Sequence, residues 1–276
     1  MANLDAAIPA SLKAALNAEA ARTKRTVSSV VTAALAHYLE KPIHTVFQVS
    51  ISGALVAGVY DREVSVQAIL ERGNFGLGTF ANLDGEMVVV DGHVYQVKGS
   101  GQVVEAPADA GAPFAVVAFF EPEIDVSIST VPALKDLQAR CDDFRQSGNI
   151  FYAIRLDGFF KRVRTRAVNP PEPGTRLIDA AKAQSEFNFA DIEGTLVGLW
   201  SPGFSSAFSV AGYHFHFLSA DRQHGGHLLD GAADALRLRV EALTEFHLAL
   251  PESEAFLKAD LSKNTADELA YAEQAH

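Results

Sequence analysis

Cysteine is almost absent from this chain: Cys141 stands alone among 276 residues. A single thiol excludes an intrachain disulfide framework, and there is no Cys-x-x-Cys pair to hold a metal or run redox exchange. That usage suits a reducing compartment, and the expected location is the cytoplasm. Long apolar runs are missing too. No stretch approaches the ~18 residues of a membrane span, and the opening MANLDAAIPASLKAAL lacks the basic, then apolar, regions of an export signal. Positive charge is scarce, with 23 Lys and Arg against 34 Asp and Glu and a formal net charge of -11. Nucleic-acid affinity rests on neutralised phosphates, so a general phosphate-binding surface is not expected. A small-molecule site fits this balance better. No solenoid-type repeat is visible.

What is present is enough apolar side chain, 48% of the residues, for a substantial core. Residues 1–40 contain no glycine, and their apolar positions recur at helical spacing. Leu12, Ala15, Leu16 and Ala20 predict one helix. After the basic residues 22–25, Thr26 or Ser28 can cap a second, with Val30, Val31, Ala34, Leu35, Tyr38 and Leu39 inward. A break is expected at Lys41-Pro42. From Ile43 the texture changes to strands and glycine turns: an extended run from Val46 to Ile51, and a hairpin over 86–97 turning at Asp91-Gly92. Residues 113–120 read as a buried strand and 131–144 as a helix. A second hairpin is expected from 150–156 and 159–168, turning at Asp157-Gly158. The run NPPEPG over 169–174 is the clearest later breaker, because three prolines supply no ladder donors. Beyond it a helix is expected over 177–183. Strands follow at 194–200 and 209–218, near His227, and at 236–242. The expected fold class is α/β of the α+β kind, with two β-sheet-rich lobes, few helices and an N-terminal helical extension. The domains are then residues 1–41 and 42–276, the latter divided into lobes of about 42–170 and 171–276.

Four of the nine histidines fall within the fourteen residues from His214 to His227. In an extended strand His214 and His216 share a face, while Tyr213, Phe215 and Phe217 take the other. The turn-rich SADRQHGG that follows can reverse the chain and bring His227 beside the pair. Three neutral imidazoles converging in this way form a zinc-type site with positions open for water or substrate. The blander alternative is a set of polar strand residues facing water. Apolar neighbours argue against it, since an unliganded pair would be costly to bury. His224 lies on the turn and is expected to face solvent. His-x-His strands also occur in cupins and α-type carbonic anhydrases. The cupin pattern wants a glutamate shortly after the second histidine, and residues 218–223 contain none. The carbonic anhydrase pattern wants a far longer gap to its third ligand.

Five separated motifs decide between these readings: GLGTFANLDGE over 76–86, FYAIRLDG over 151–158, RTRAV over 164–168, GTLVG over 194–198, and GYHFHF over 212–217 through Gly225-Gly226-His227. In their order and spacing, from about His44 onward, they resemble the α-acetolactate decarboxylase family. The resemblance implies a zinc ion on His214, His216 and His227. It further implies site roles for Thr79, Glu86 and Arg166, and for a glutamate near the C-terminus that corresponds best to Glu273, with Glu268 five residues away. Ala167 departs from the family pattern, which more often has a hydroxyl residue beside the arginine. The implied reaction converts (S)-2-acetolactate to (R)-acetoin and CO2, with the metal stabilising the enediolate. Arg166 would hold the departing carboxylate, and Glu86 and Glu273 would bind or relay protons.

Residues 8–40 resemble, more loosely, the strand and two helices of ribbon-helix-helix proteins, which dimerise and commonly bind DNA through a strand pair. The corresponding strand, residues 2–8, has no Lys or Arg and contains Asp5. A dimerising appendage is therefore expected over a DNA reader, and the whole chain is expected to form a homo-oligomer, a dimer or higher, with no membrane partner. The competing function is a metabolite-binding regulator with a DNA-binding N-terminus. The intact His, Glu and Arg set argues against it.

Overall fold

The computed structural model describes residues 5–23, 26–39, 43–172, 174–263 and 265–273. Two compact units make up the chain, Met1–Ile43 and His44–His276. The first contains α1 (Ala10–Thr23) and α2 (Val27–Tyr38), which pack on each other. Thr26 caps α2, its hydroxyl accepting from the Ser29 amide at 3.1 Å. Burial is slight: Ala20 is buried on α1 and no side chain is buried on α2. The inward face expected of α2 is only half-covered at Val30 and Val31, while Ala34, Leu35, Tyr38 and Leu39 are exposed. Residues 5–9 form no strand. The rest of the expected strand, and the break at Lys41-Pro42, lie outside the described residues.

The second unit is sheet-rich with short helices, an α+β architecture. Its elements run β1 (Thr45–Val49), α3 (Ser52–Val56), β2 (Val64–Ser65), α4 (Val66–Leu70), β3 (Phe75–Thr79), β4 (Glu86–Val90), β5 (His93–Val97), β6 (Val103–Glu105), β7 (Gly111–Ala112) and β8 (Phe114–Ala118). They continue with β9 (Ile124–Val131), α5 (Leu134–Asp142), β10 (Phe151–Ala167), α6 (Leu177–Lys182), β11 (Ser185–Ser201), β12 (Gly212–Ser219), β13 (Gly225–Leu243), β14 (Glu245–Ala249), α7 (Glu254–Lys258) and α8 (Ala266–Glu273). Seven strands form one sheet in the order β14-β1-β8-β3-β4-β5-β6, parallel only between β14 and β1. Five form another, β10-β11-β12-β13-β9. Because β13 also pairs with β10, the strands β10, β11, β12 and β13 close into a ring.

This topology corrects the expected lobe boundary. The division between sheets falls at the 119–123 connection rather than at the proline run, since β9 and β10 already belong to the second sheet and β14 returns to the first. The run 169–172 leaves β10 toward α6 instead of separating lobes, and Pro173 lies outside the described residues. The hairpin at Asp157-Gly158 is likewise absent. β10 runs for 17 residues through Gly158, which faces Gly194 on β11, and its pairing with β13 shifts register between Gly158 and Phe160. Asp-Gly here marks a bulge in a long strand, where the missing side chain admits a close neighbour. The strands expected near His227 and at 236–242 are parts of one, β13.

Alternation places the core. On β4, Met87 and Val89 join the layer under α4 with Ile69 and Val117, while Val88 and Val90 face the second sheet with Ala153, Val197 and Leu199. On β12, Phe215 and Phe217 fill the ring interior with Leu156, Phe160 and Leu238. Side chains of opposite parity, Glu86 on β4 and His214 and His216 on β12, therefore meet in the layer between the sheets.

Candidate active site

Three adjacent strands bring the polar residues of that layer together. Across the ring, Arg166 of β10 is the register partner of His227 on β13, and His227 is the partner of His216 on β12. His214 follows from the alternation along β12. In the facing sheet, Thr79 of β3 is paired with Glu86 of β4. Two glycines permit this geometry. Gly226, at φ 128°, would place a Cβ 2.5 Å from the Arg166 carbonyl, so only glycine lets β13 close on β10 beside His227. Gly85, at φ 92°, turns the chain into Glu86 where a Cβ would meet the Val97 carbonyl at 2.2 Å. The reversal after β12 is tied by Ser219, whose hydroxyl accepts from the Gln223 and His224 amides at 3.2 and 2.9 Å.

His214, His216 and His227 each offer a ring nitrogen, all within 4.8 Å of one another. His214 Nε2 and His227 Nδ1 are 3.1 Å apart. The backbone fixes which nitrogen of two rings faces inward. His216 Nδ1 donates to the Met87 carbonyl at 2.7 Å, leaving Nε2 as the lone pair, buried and without a hydrogen-bond partner. His227 Nε2 donates to the Glu273 carbonyl at 3.2 Å, leaving Nδ1. Burial, reinforced by the Arg166 charge, lowers the His214 pKa to about 3, and burial first of all holds His216 and His227 well below the usual imidazole range. Neutral nitrogens with inward lone pairs, and an orphaned one among them, are the donor set a divalent cation needs. These residues fit a metal centre.

Around the triad sit one cation and two carboxylates. Arg166 is 4% exposed, with Nη1 3.6 Å from Glu86 Oε1 and Nη2 3.3 Å from Glu273 Oε2. The same Glu273 oxygen lies 3.5 Å from His214 Nε2 and 3.4 Å from His227 Nδ1, and Glu86 Oε2 lies 3.7 Å from His216 Nε2. Burial pushes the Glu86 carboxyl up to about 7 although the Arg166 charge opposes it and Glu273 adds to it. Thr79 lines the same cavity, but its hydroxyl donates to the Gly85 carbonyl at 2.8 Å and braces the turn before Glu86. Glu268 is elsewhere: it pairs with Arg176 on the exposed side of α8. His224 is exposed, its ring 4.8 Å from that of Phe189.

The geometry thus assembles every residue singled out from the sequence except the two set aside, Glu268 and His224. Comparison with known proteins places it in context. The family model described as Alpha-acetolactate decarboxylase matches residues 46–263. The chain belongs to this family. An alpha-acetolactate decarboxylase of Methylococcus capsulatus is 39% identical over 240 residues, 87% of this chain and 92% of its own length. One of Bacillus licheniformis is 36% identical over 227 residues, 82% of this chain and 90% of the relative. The crystal structure of the Bacillus subtilis strain 168 alpha-acetolactate decarboxylase matches with a TM-score of 0.81 at 33% identity, covering 84% of this chain and 100% of that one. Glu273 and the first 45 residues fall outside the span matched by the family model.

Sequence reasoning missed the apolar and backbone parts of the site. Leu55, Phe114, Leu177, Val210, Leu269 and Ala272 line the cavity, from five different segments. Their burial is a tertiary property with no local motif. The Met87 carbonyl carries no side-chain signal at all. No helix among the described residues is long and apolar enough to cross a membrane.

Proposed function

We propose that the chain decarboxylates (S)-2-acetolactate to (R)-acetoin and CO2, with a zinc ion held by His214, His216 and His227. The observation that carries this reading is Arg166, a buried guanidinium fixed between two carboxylates beside three neutral imidazoles. Membership of the family supports the substrate. When bound, a zinc ion supplies a Lewis acid for the negative charge that develops on the ketone side of the substrate. The protein does the rest. Arg166 presents a planar fork that holds the substrate carboxylate and aligns the breaking carbon–carbon bond with the ketone, so its electron pair passes into an enediolate as CO2 leaves. Glu86, whose Oε1 is buried without a hydrogen-bond partner, exchanges a proton at the tertiary hydroxyl. Glu273 closes the cavity from α8, and a proton delivered on that one enclosed face to the carbon that has lost CO2 completes acetoin in a single configuration. Protein stripped by a chelator should lose acetoin formation and recover it with zinc. Full turnover in metal-free protein would refute the zinc assignment.

Residues 1–43 we read as a self-associating unit. Its helix α2 carries no Asp, Glu, Lys or Arg, and Leu35, Tyr38 and Leu39 are 41%, 83% and 60% exposed. A unit this small buries too little to be stable alone. Five Lys and Arg stand against three Asp and Glu within it, whereas the rest of the chain carries 18 against 31. The face of α2, which carries no charged side chain, meets its own copy without repulsion.

A further inference from the structure

We infer that Ser52 is a further substrate-contacting residue of this site, its hydroxyl donating to an oxygen of the bound β-keto acid; the inference rests on the decarboxylase reading above. Ser52 opens α3 and is 1% exposed. Its amide is satisfied, donating to the Phe208 carbonyl at 3.0 Å. Its hydroxyl is not: Oγ is buried and has no hydrogen-bond partner. Among the described residues no other serine or threonine hydroxyl is buried in that condition. Thr79 donates to Gly85, Thr165 to Gly225 and Ser205 to Pro202, each to a backbone carbonyl at 2.7 to 2.8 Å. The chain therefore has the usual means of satisfying buried hydroxyls and leaves this one out.

The exception lies where a ligand would cure it. Ser52 lines the same cavity as Glu86, Arg166, His214, His216 and Glu273. A buried polar group left unpaired is a standing cost to the free protein, and a substrate oxygen that pairs with it relieves that cost. The other orphaned side-chain atoms of the cavity, Glu86 Oε1, Arg166 Nε and His216 Nε2, belong to groups that already have parts in that reading. Arg166 spans Glu86 and Glu273, and the imidazoles face one another. Acetolactate carries four oxygens, whose lone pairs outnumber the donors of one guanidinium, and a neutral donor adds to the set without adding charge next to the metal triad. The role is positioning and affinity: Ser52 selects a substrate that places an acceptor over α3, and it takes no part in bond cleavage.

The test is Ser52→Ala in the zinc-loaded full chain. Two measurements are made beside the wild type: steady-state turnover of 2-acetolactate, and calorimetric binding of 2,3-dihydroxy-2-methylbutanoate, which keeps the carboxylate and hydroxyl but has no ketone and cannot lose CO2. The expected result is a KM and a probe Kd raised about tenfold, the scale of one lost hydrogen bond, with kcat nearly unchanged. Thermal stability without ligand should stay level or rise, since the variant removes an unsatisfied hydroxyl. A lowered melting temperature with KM and Kd unchanged would overturn the inference and make Ser52 a structural residue. Failure of the underlying reading looks different: the wild type itself would neither bind the probe nor release CO2, and the role of Ser52 would fall with it.

Discussion

His216 Nδ1 lies 2.7 Å from the carbonyl of Met87, so the strand carrying Glu86 also fixes the proton of an imidazole on the opposite sheet. The two sheets share one hydrogen bond at the point where the chemistry is assembled. Replacing His216 by alanine removes an inward lone pair and the buried hydrogen bond to the Met87 carbonyl. The variant should lose bound metal, measured by elemental analysis, lose acetoin formation, and be destabilised by about 1–3 kcal/mol. A variant with full metal content would show that the triad is not the ligand set.

Arg166 separates a buried carboxylate from a partly buried one, at 3.6 Å from Glu86 and 3.3 Å from Glu273. Arg166→Ala should cost about 3–5 kcal/mol in chemical denaturation, because both acids are left without a counter-charge. Arg166→Lys returns the charge without the planar fork. It should recover much of the stability while kcat/KM stays down about a hundredfold. Equal recovery of both would mean that the guanidinium geometry has no part in turnover.

A second buried carboxylate holds His44 and makes that imidazole one contributor to the pH response of the fold. Glu241 is fully buried, with Oε1 3.1 Å from His44 Nδ1 and Oε2 accepting from the Glu121 amide at 2.7 Å. Contact with Glu241, aided by the Glu123 charge and the Ala242 backbone and opposed by burial, raises the His44 pKa above its ordinary value. The folded state thus binds the proton more tightly than the unfolded chain. Its stabilisation is complete below about pH 6.5, the free imidazole value, and is lost as pH rises through the elevated one. His44→Gln should flatten that part of the stability profile in denaturant titrations. An unchanged slope would dissociate His44 from it.

Leu35→Glu combined with Tyr38→Glu places two charges on the uncharged face of α2. Sedimentation of the full chain should report a smaller assembly, with the turnover per chain preserved. An unchanged mass would remove self-association from residues 1–43.

Much of the site was legible because its signals are local. His214 and His216 show strand alternation, and Asp91-Gly92 is a hairpin turn between β4 and β5. Asp157-Gly158 misleads for the same reason. An Asp-Gly pair signals a turn when strands are short, but β10 has partners on both edges and continues through it. The lobe boundary failed because proline marks where a strand stops and carries no information about which sheet it leaves. α8 has a short, weakly patterned sequence, and its position over the site comes from Leu269 and Ala272 in the shared core.

The place of β1 has a kinetic consequence. It is held between β8 and β14, with Phe47 opposite Val117 and Thr45 opposite Glu245, and β14 follows β13 after a single residue, Thr244. The first strand of the unit thus stays unpaired on one side until the chain has laid down every strand of the ring. Closing so long a loop is entropically slow and is rewarded only at the end. Residues 44–276 are therefore expected to refold late and cooperatively, with the cavity between the sheets formed in the same step that completes both.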